Sequence, residues 1–206
     1  MRKMMGIYLA AGYSRRMGVN KLALPLKHST VGSLGLENAL SSRLDDIIVV
    51  VRKEDDLDWL DPALRGNTKN NGLNLVRCGT ENHGQAESLK TGIKQAIQLQ
   101  IDAIVIMLAD QPFVTKEIIE DLINQYERFD PPFVAARLQG IIQPPVLFSS
   151  RVFPSLLKLE GDQGAKSLFA NHQIGQGSFI DFKDDRLLFD VDQIKDYEKA
   201  IKYTSS

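Results

Sequence analysis

Ile104-Val105-Ile106-Met107-Leu108-Ala109-Asp110-Gln111-Pro112 is apolar without alternation as far as Ala109, then turns abruptly to a carboxylate and a proline. A run with no polar face reads as a strand covered on both sides, as in a parallel sheet. Ile47-Ile48-Val49-Val50-Val51 has the same character. Working outward from these two runs, strands are expected over residues 4–10, 46–51, 73–77, 103–108 and 132–136. Helical spacing fills the intervals. Leu89, Ile93, Ala96 and Ile97 fall at i, i+4, i+7 and i+8, and Ile118, Ile119, Leu122, Ile123 and Tyr126 repeat the stripe. Thr115 suits the cap of the second helix, and Glu117 and Glu120 suit its first turns. Strand alternating with helix predicts a Rossmann-like three-layer α/β/α sandwich around a mostly parallel sheet. After Pro144-Pro145 the pattern loosens. A strand over 146–148, a short helix over 152–157, a strand over 175–181 and a closing helix over 193–203 are expected there.

The chain has 206 residues. At about 150 residues per domain, it is expected to form one domain over 1–206. Its 25 basic and 26 acidic residues leave a net charge of −1. That excludes a broad nucleic-acid surface but not a local anion pocket. Cys78 is the one cysteine, so no internal disulfide is available, and it reads as incidental. His28, His83 and His172 are too scattered for a local zinc motif. No apolar run approaches the roughly 18 residues of a membrane span. The opening superficially mimics a signal peptide, but Tyr13-Ser14-Arg15-Arg16 interrupts it at once. A buried first strand and a cytoplasmic protein are the expectation.

Three stretches could carry chemistry. The first strand runs into Leu9-Ala10-Ala11-Gly12-Tyr13-Ser14-Arg15-Arg16-Met17-Gly18-Val19-Asn20-Lys21. A glycine loop with three cations at a strand end is a plausible anion cradle, although it also reads as a solvated βα loop. The Walker A and Gly-x-Gly-x-x-Gly spacings are both absent. Asp110 ends a strand on the side where open α/β sheets bind ligands. A carboxylate there suits a hard cation such as Mg²⁺, or it caps the next helix. Phe189-Asp190-Val191-Asp192 would place both carboxylates on one face if it were a strand, and otherwise reads as an acidic cap. Gly84 and Ser88 open a helix, and Arg77 either reaches the same pocket or lies on the surface.

Leu9-Ala10-Ala11-Gly12-x-Ser14-x-Arg16-Met17-Gly18-x-x-Lys21-Leu22-x-Leu24-Pro25-Leu26 resembles the opening loop of the molybdenum-cofactor nucleotidyltransferases. The Ala10-Ala11 doublet resembles the cytidylyltransferase branch more than the guanylyltransferase branch. The resemblance runs from Ile7 to Tyr197. It implies the nucleotidyltransferase fold and transfer of CMP from Mg²⁺·CTP to the molybdopterin cofactor, releasing pyrophosphate. A xanthine dehydrogenase-type molybdoenzyme of purine metabolism would receive the product. Within the domain, residues 1–112 would serve the nucleotide, 113–192 the acceptor, and 193–203 the closing helix.

The resemblance also implies roles. Nucleotide binding falls to Leu9, Ala10, Ala11, Gly12, Ser14, Arg16, Lys21, Gly84, Ser88 and Asp110, with Arg16, Lys21 and Asp110 catalytic. Asp110 and Asp192 would hold Mg²⁺, with Asp190 as the alternative to Asp192. Pro145, Gly161, Asp162, Gly164 and Lys166 would face the acceptor. The chain departs from the family pattern at Gln143-Pro144, where Gly-His is usual, at Lys166 for Arg, and at Gln193-Ile194 for Thr-Pro. Use of GTP, a sugar- or polyol-phosphate acceptor, a non-catalytic cofactor escort and a dinucleotide-binding accessory protein are the other readings.

Overall fold

The computed structural model describes residues 2–14, 17–65, 72–79, 84–170 and 174–204. In chain order the strands are β1 (Met4–Leu9), β2 (Pro25–Leu26), β3 (Ser29–Thr30), β4 (Asp46–Arg52), β5 (Leu73–Cys78), β6 (Ala103–Leu108), β7 (Phe133–Leu138), β8 (Ile141–Ser149) and β9 (Ser178–Phe182). The helices are α1 (Val31–Leu40), α2 (Pro62–Arg65), α3 (Gln85–Gln98), α4 (Lys116–Phe129), α5 (Phe153–Leu156), α6 (Ser167–Ala170) and α7 (Ile194–Thr204). Seven strands form one sheet in the order β5-β4-β1-β6-β8-β7-β9. β5, β4, β1 and β6 are parallel. β8 runs against both of its neighbours, and β9 is parallel to β7.

The apolar runs are buried because helices cover the sheet on both faces. Met4, Tyr8, Val49, Val105 and Met107 point to the layer of α1 and α4. Met5, Ile7, Val50, Ile104 and Ile106 point to the layer of α3, α5 and α6. This is the expected three-layer architecture. On α3 the buried face is Ala86, Leu89, Gly92, Ile93 and Ala96, while Ile97 is exposed, against the expected stripe. Gly92 lets the helix approach β1, since a Cβ there would lie 2.7 Å from Ile7 Cγ2.

The short β2, β3, α2 and α6 were not expected, the strand expected over 175–181 is β9 at Ser178–Phe182, and α1 and β8 also differ from the sequence reading. Periodicity does not announce α1 because the helix is buried on nearly every side from Val31 to Leu36, so it shows no stripe. The strand expected over 146–148 instead begins at Ile141 and runs through Pro144-Pro145. Proline cannot donate to a ladder, which argues against a central strand. Here the register shifts, with Ala135 opposite Val146 and Ala136 opposite Gln143, so a bulge takes both prolines out of the pairing. Among the described residues, no helix is long and apolar enough to cross a membrane.

Candidate active site

The carboxyl ends of β1 and β6 meet, because Leu9 and Leu108 pair directly and Ala109 N donates to Leu9 O at 3.1 Å. Asp110 follows at this junction, in a turn closed by Gln111 N to Leu108 O. The segment before α7 comes back to the same point. Val191 N donates to Asp110 O at 2.9 Å, and the buried Gln111 amide donates to Leu188 O at 3.3 Å. Residues 189–192 are not a strand. Val191 is buried, Asp190 is partly buried and Asp192 is exposed.

Lys21 arrives on a 3₁₀ turn capped by Asn20, and its backbone N–H donates to Ser14 Oγ at 3.0 Å. Its Nζ lies 2.7 Å from Asp110 Oδ2 and 2.9 Å from Asp192 Oδ1. Burial opposes the charge on Lys21, but the attraction and hydrogen bonds of Asp110, then of Asp192, outweigh it. The ammonium therefore titrates above the ordinary lysine range. Asp190 is also raised, which for a carboxylic acid favours the uncharged form. Burial first, then the charges of Asp110 and Asp192, push it up to about 6.

A cavity of about 490 Å³ opens beside this cluster. Leu9, Ala11, Gly12, Gly84, Ser88 and Asp110 line it, with Tyr13, Gln85, Leu108 and Asp162. Ala10 is buried beneath it, and its N–H donates to Val50 O. Ser14 holds the loop from within, accepting from Lys21 N at its hydroxyl and from Met17 N at its carbonyl. A second cavity of about 370 Å³ adjoins the first and shares Leu9, Gln85, Leu108 and Asp162. Gly164 and Lys166 line it, and so does Pro144, whereas Pro145 is buried. Lys166 lies just before α6, not within it. Gly161 seats this turn on the start of α3, where its carbonyl accepts from Ala86 N at 3.1 Å. Gly84 allows that approach, because a Cβ there would lie 2.3 Å from Gly161 and Asp162 atoms.

Arg16, His83 and His172 lie outside the described residues. Arg77 does not reach the cavity. Its guanidinium donates to the carbonyls of Arg52, Lys53 and Asp55. Cys78 Sγ sits 3.7 Å from Ser88 Oγ, behind the cavity wall. Sequence reasoning passed over Tyr13, Gln85 and Pro144. Pro144 stood beside Pro145 in a quoted stretch, Gln85 lies between Gly84 and Ser88, and Tyr13 filled a variable position, so only their neighbours carried a signal.

Among the described residues, no three His, Cys, Asp or Glu side chains group to hold a metal by themselves. Mg²⁺ commonly takes one or two carboxylates and completes its shell with water and substrate phosphate oxygens. Asp110 and Asp192 supply that number. Asp110 Oδ1 is buried and accepts no hydrogen bond from a described residue, which leaves a hard anionic donor free for a cation.

The MobA-like NTP transferase domain matches residues 6–176. This chain belongs to that family. Like other MobA-like NTP transferases, it is a nucleotidyltransferase. The purine catabolism protein PucB of Bacillus subtilis (strain 168) is 40% identical over 197 residues, 95% of this chain and 94% of PucB. The rv0371c homologue from Mycobacterium sp. strain JC1 superposes with a TM-score of 0.80 at 27% identity, over 100% of this chain and 98% of its own. Rv0371c of Mycobacterium tuberculosis H37Rv, solved as a manganese complex, has the same fold, with a TM-score of 0.73 at 23% identity over 97% and 98%.

Proposed function

We propose that this MobA-like NTP transferase moves CMP from CTP to the phosphate of the molybdopterin cofactor and releases pyrophosphate. The observation that carries the reading is Lys21 held between Asp110 and Asp192, with Asp110 on the wall of the 490 Å³ cavity that adjoins the second one. An acceptor phosphate oxygen would attack the α-phosphorus as the bond to the β-phosphate oxygen breaks, leaving pyrophosphate. That nucleophile is already an anion at neutral pH, so no strong general base is needed. Asp110 and Asp192 fit a divalent cation, which we take to be Mg²⁺. When bound it supplies positive charge to the phosphates. Gly12, Lys21 and Arg16 would hold the departing pyrophosphate, and the walls of Gly84 and Ser88 would hold base and ribose. Asp162, Gly164 and Lys166 would receive the acceptor, Lys166 as a mobile point charge for its phosphate. Catalysis would then be alignment plus charge neutralisation.

Three observations support the finer points. PucB is named for purine catabolism, which favours a cytoplasmic role beside a xanthine dehydrogenase-type molybdoenzyme. The manganese complex of Rv0371c favours a divalent cation. Ala11 puts a methyl group on the cavity wall, which favours the smaller pyrimidine. The test is incubation with Mg²⁺, molybdenum cofactor and each NTP in turn, reading pyrophosphate. CTP should give the fastest release. Faster release with GTP overturns the base assignment, and release that needs a sugar phosphate overturns the acceptor.

A further inference from the structure

Residues 53–60, which follow β4, form an excursion anchored at the strand's last residue, Arg52. Trp59 is fully buried, and its indole N–H donates to Asp55 Oδ1 at 3.2 Å. The same oxygen accepts from Leu57 N at 2.9 Å. Asp55, itself buried, pairs with Arg52 at 3.5 Å, and Arg77 ties down the carbonyls of Arg52, Lys53 and Asp55. Two contacts lead from this platform to the segment that carries Gly12 and Lys21. The Arg52 guanidinium lies 4.9 Å from the centre of the Tyr13 ring. Asn20 Nδ2 donates to Asp58 Oδ1 at 2.8 Å, while Asn20 Oδ1 caps the turn that delivers Lys21. Tyr13 lines the larger cavity and is 48% exposed, whereas neither Arg52 nor Asp58 lines it. Arg52 Nε is buried and has no hydrogen-bond partner among the described residues, so the guanidinium is placed by Asp55 and by the aromatic ring.

We propose that Arg52 and Asp58 are positioning residues for nucleotide binding. Through Tyr13 and Asn20 they hold Gly12 and Lys21 in the arrangement that accepts a nucleoside triphosphate. A cation stacked on a partly desolvated ring is worth enough to bias a glycine-containing segment. Asp58 restrains Asn20 at the start of the turn that delivers Lys21, so less freedom is lost there when a triphosphate binds. This inference rests on the reading of the larger cavity as the nucleotide site.

The test compares Arg52→Ala, Arg52→Lys, Tyr13→Leu, Asp58→Ala and the Arg52→Ala/Tyr13→Leu double variant, with Lys21→Ala as a reference. CTP binding is measured by calorimetry, and KM and kcat are measured for CTP and acceptor. Arg52→Ala and Tyr13→Leu should each raise the CTP KM about five- to tenfold, with kcat and acceptor KM within about twofold. The double variant should be no worse than the poorer single one, because both remove one contact. Arg52→Lys should recover most of the loss, and Asp58→Ala should raise the CTP KM about threefold. Tyr13→Leu leaves the Arg52–Asp55 pair intact and keeps the test decisive if Arg52→Ala unfolds. An unchanged CTP KM in Tyr13→Leu, additive losses in the double variant, or equal losses in kcat and both KM values overturn the inference. If Lys21→Ala also binds CTP normally, the nucleotide-site reading falls. If Lys21→Ala alone is defective, only the positioning role falls.

Discussion

Asp110→Asn separates the charge of the site from its shape. Asparagine keeps the volume and one acceptor oxygen, and the backbone contact from Val191 N to Asp110 O is untouched. What goes is the negative charge 2.7 Å from Lys21 Nζ, together with a buried Oδ1 that no described group satisfies. Losing a charge-assisted hydrogen bond costs about 1.5–3 kcal/mol. Lys21 still keeps Asp192 at 2.9 Å, and Asp190 is relieved of a like charge. The net change in stability should therefore be about 1–2 kcal/mol, or roughly 2–8 °C in Tm for a chain of this size. Turnover should fall much further. A carboxylate that fixes positive charge against the reacting phosphate contributes mainly in the transition state, so kcat should drop by at least ~10³-fold, about 4 kcal/mol. CTP affinity should change by less than about tenfold. The assay is pyrophosphate release across a Mg²⁺ titration, beside calorimetric CTP binding and a thermal melt. A kcat within tenfold of wild type at saturating Mg²⁺, in a normally melting protein, would refute the role given to Asp110. A severe defect in Asp190→Asn with a mild one in Asp192→Asn would keep the mechanism and exchange the second carboxylate.

Lys21→Ala should weaken CTP use by at least about tenfold, or 1.4 kcal/mol, without unfolding the chain. Initial rates against CTP concentration check this. Gly84→Ala puts a Cβ 2.3 Å from Gly161 and Asp162, so the 161–164 turn must move. Its acceptor KM should rise more than its CTP KM, and equal changes would argue against a separate acceptor wall. Asp190→Asn tests the pH linkage. The carboxyl has a folded value of about 6 against 3.8 for an ordinary aspartic acid, so the fold favours its protonated form. That contribution is fully present below the unfolded value and is lost as pH rises toward 6. A displacement of that size is worth about 3 kcal/mol at most. Asp190→Asn should thus melt like wild type near pH 4 and be more stable by roughly 1–3 kcal/mol at pH 7.5. Equal melting at both pH values would show that Asp190 is not held in this way.

The central layer of the fold was legible because β4 and β6 are buried on both faces and their sequences have no polar side. The stripe of α4 was legible for the complementary reason, one wet face and one dry, and Thr115 stands at its N-cap position although its side chain makes no capping hydrogen bond. What escaped notice lacked contrast. α1 is buried almost all round, so no period stands out, and β8 hides its strand character behind two prolines that a bulge accommodates. In the site, Gly12, Ser88 and Asp110 could be named because motif spacing marks them, and the structure brings them to one cavity. The contact of Lys21 with both Asp110 and Asp192 spans 89 and 171 residues of sequence, a distance over which no local pattern carries information. Tyr13 and Arg52 meet only because β1 and β4 are neighbours in the sheet, which is a property of topology.

Those long separations also impose an order in time. Ribosomes deliver Lys21 first, Asp110 next and Asp192 near the end. At about 5–20 residues per second, the 82 residues from Asp110 to Asp192 take roughly 4–16 s to appear. Through that interval a nascent chain owns the lysine and a single aspartate. The acidic pair is completed only when Val191 docks on Asp110, so until then Lys21 lacks its second carboxylate.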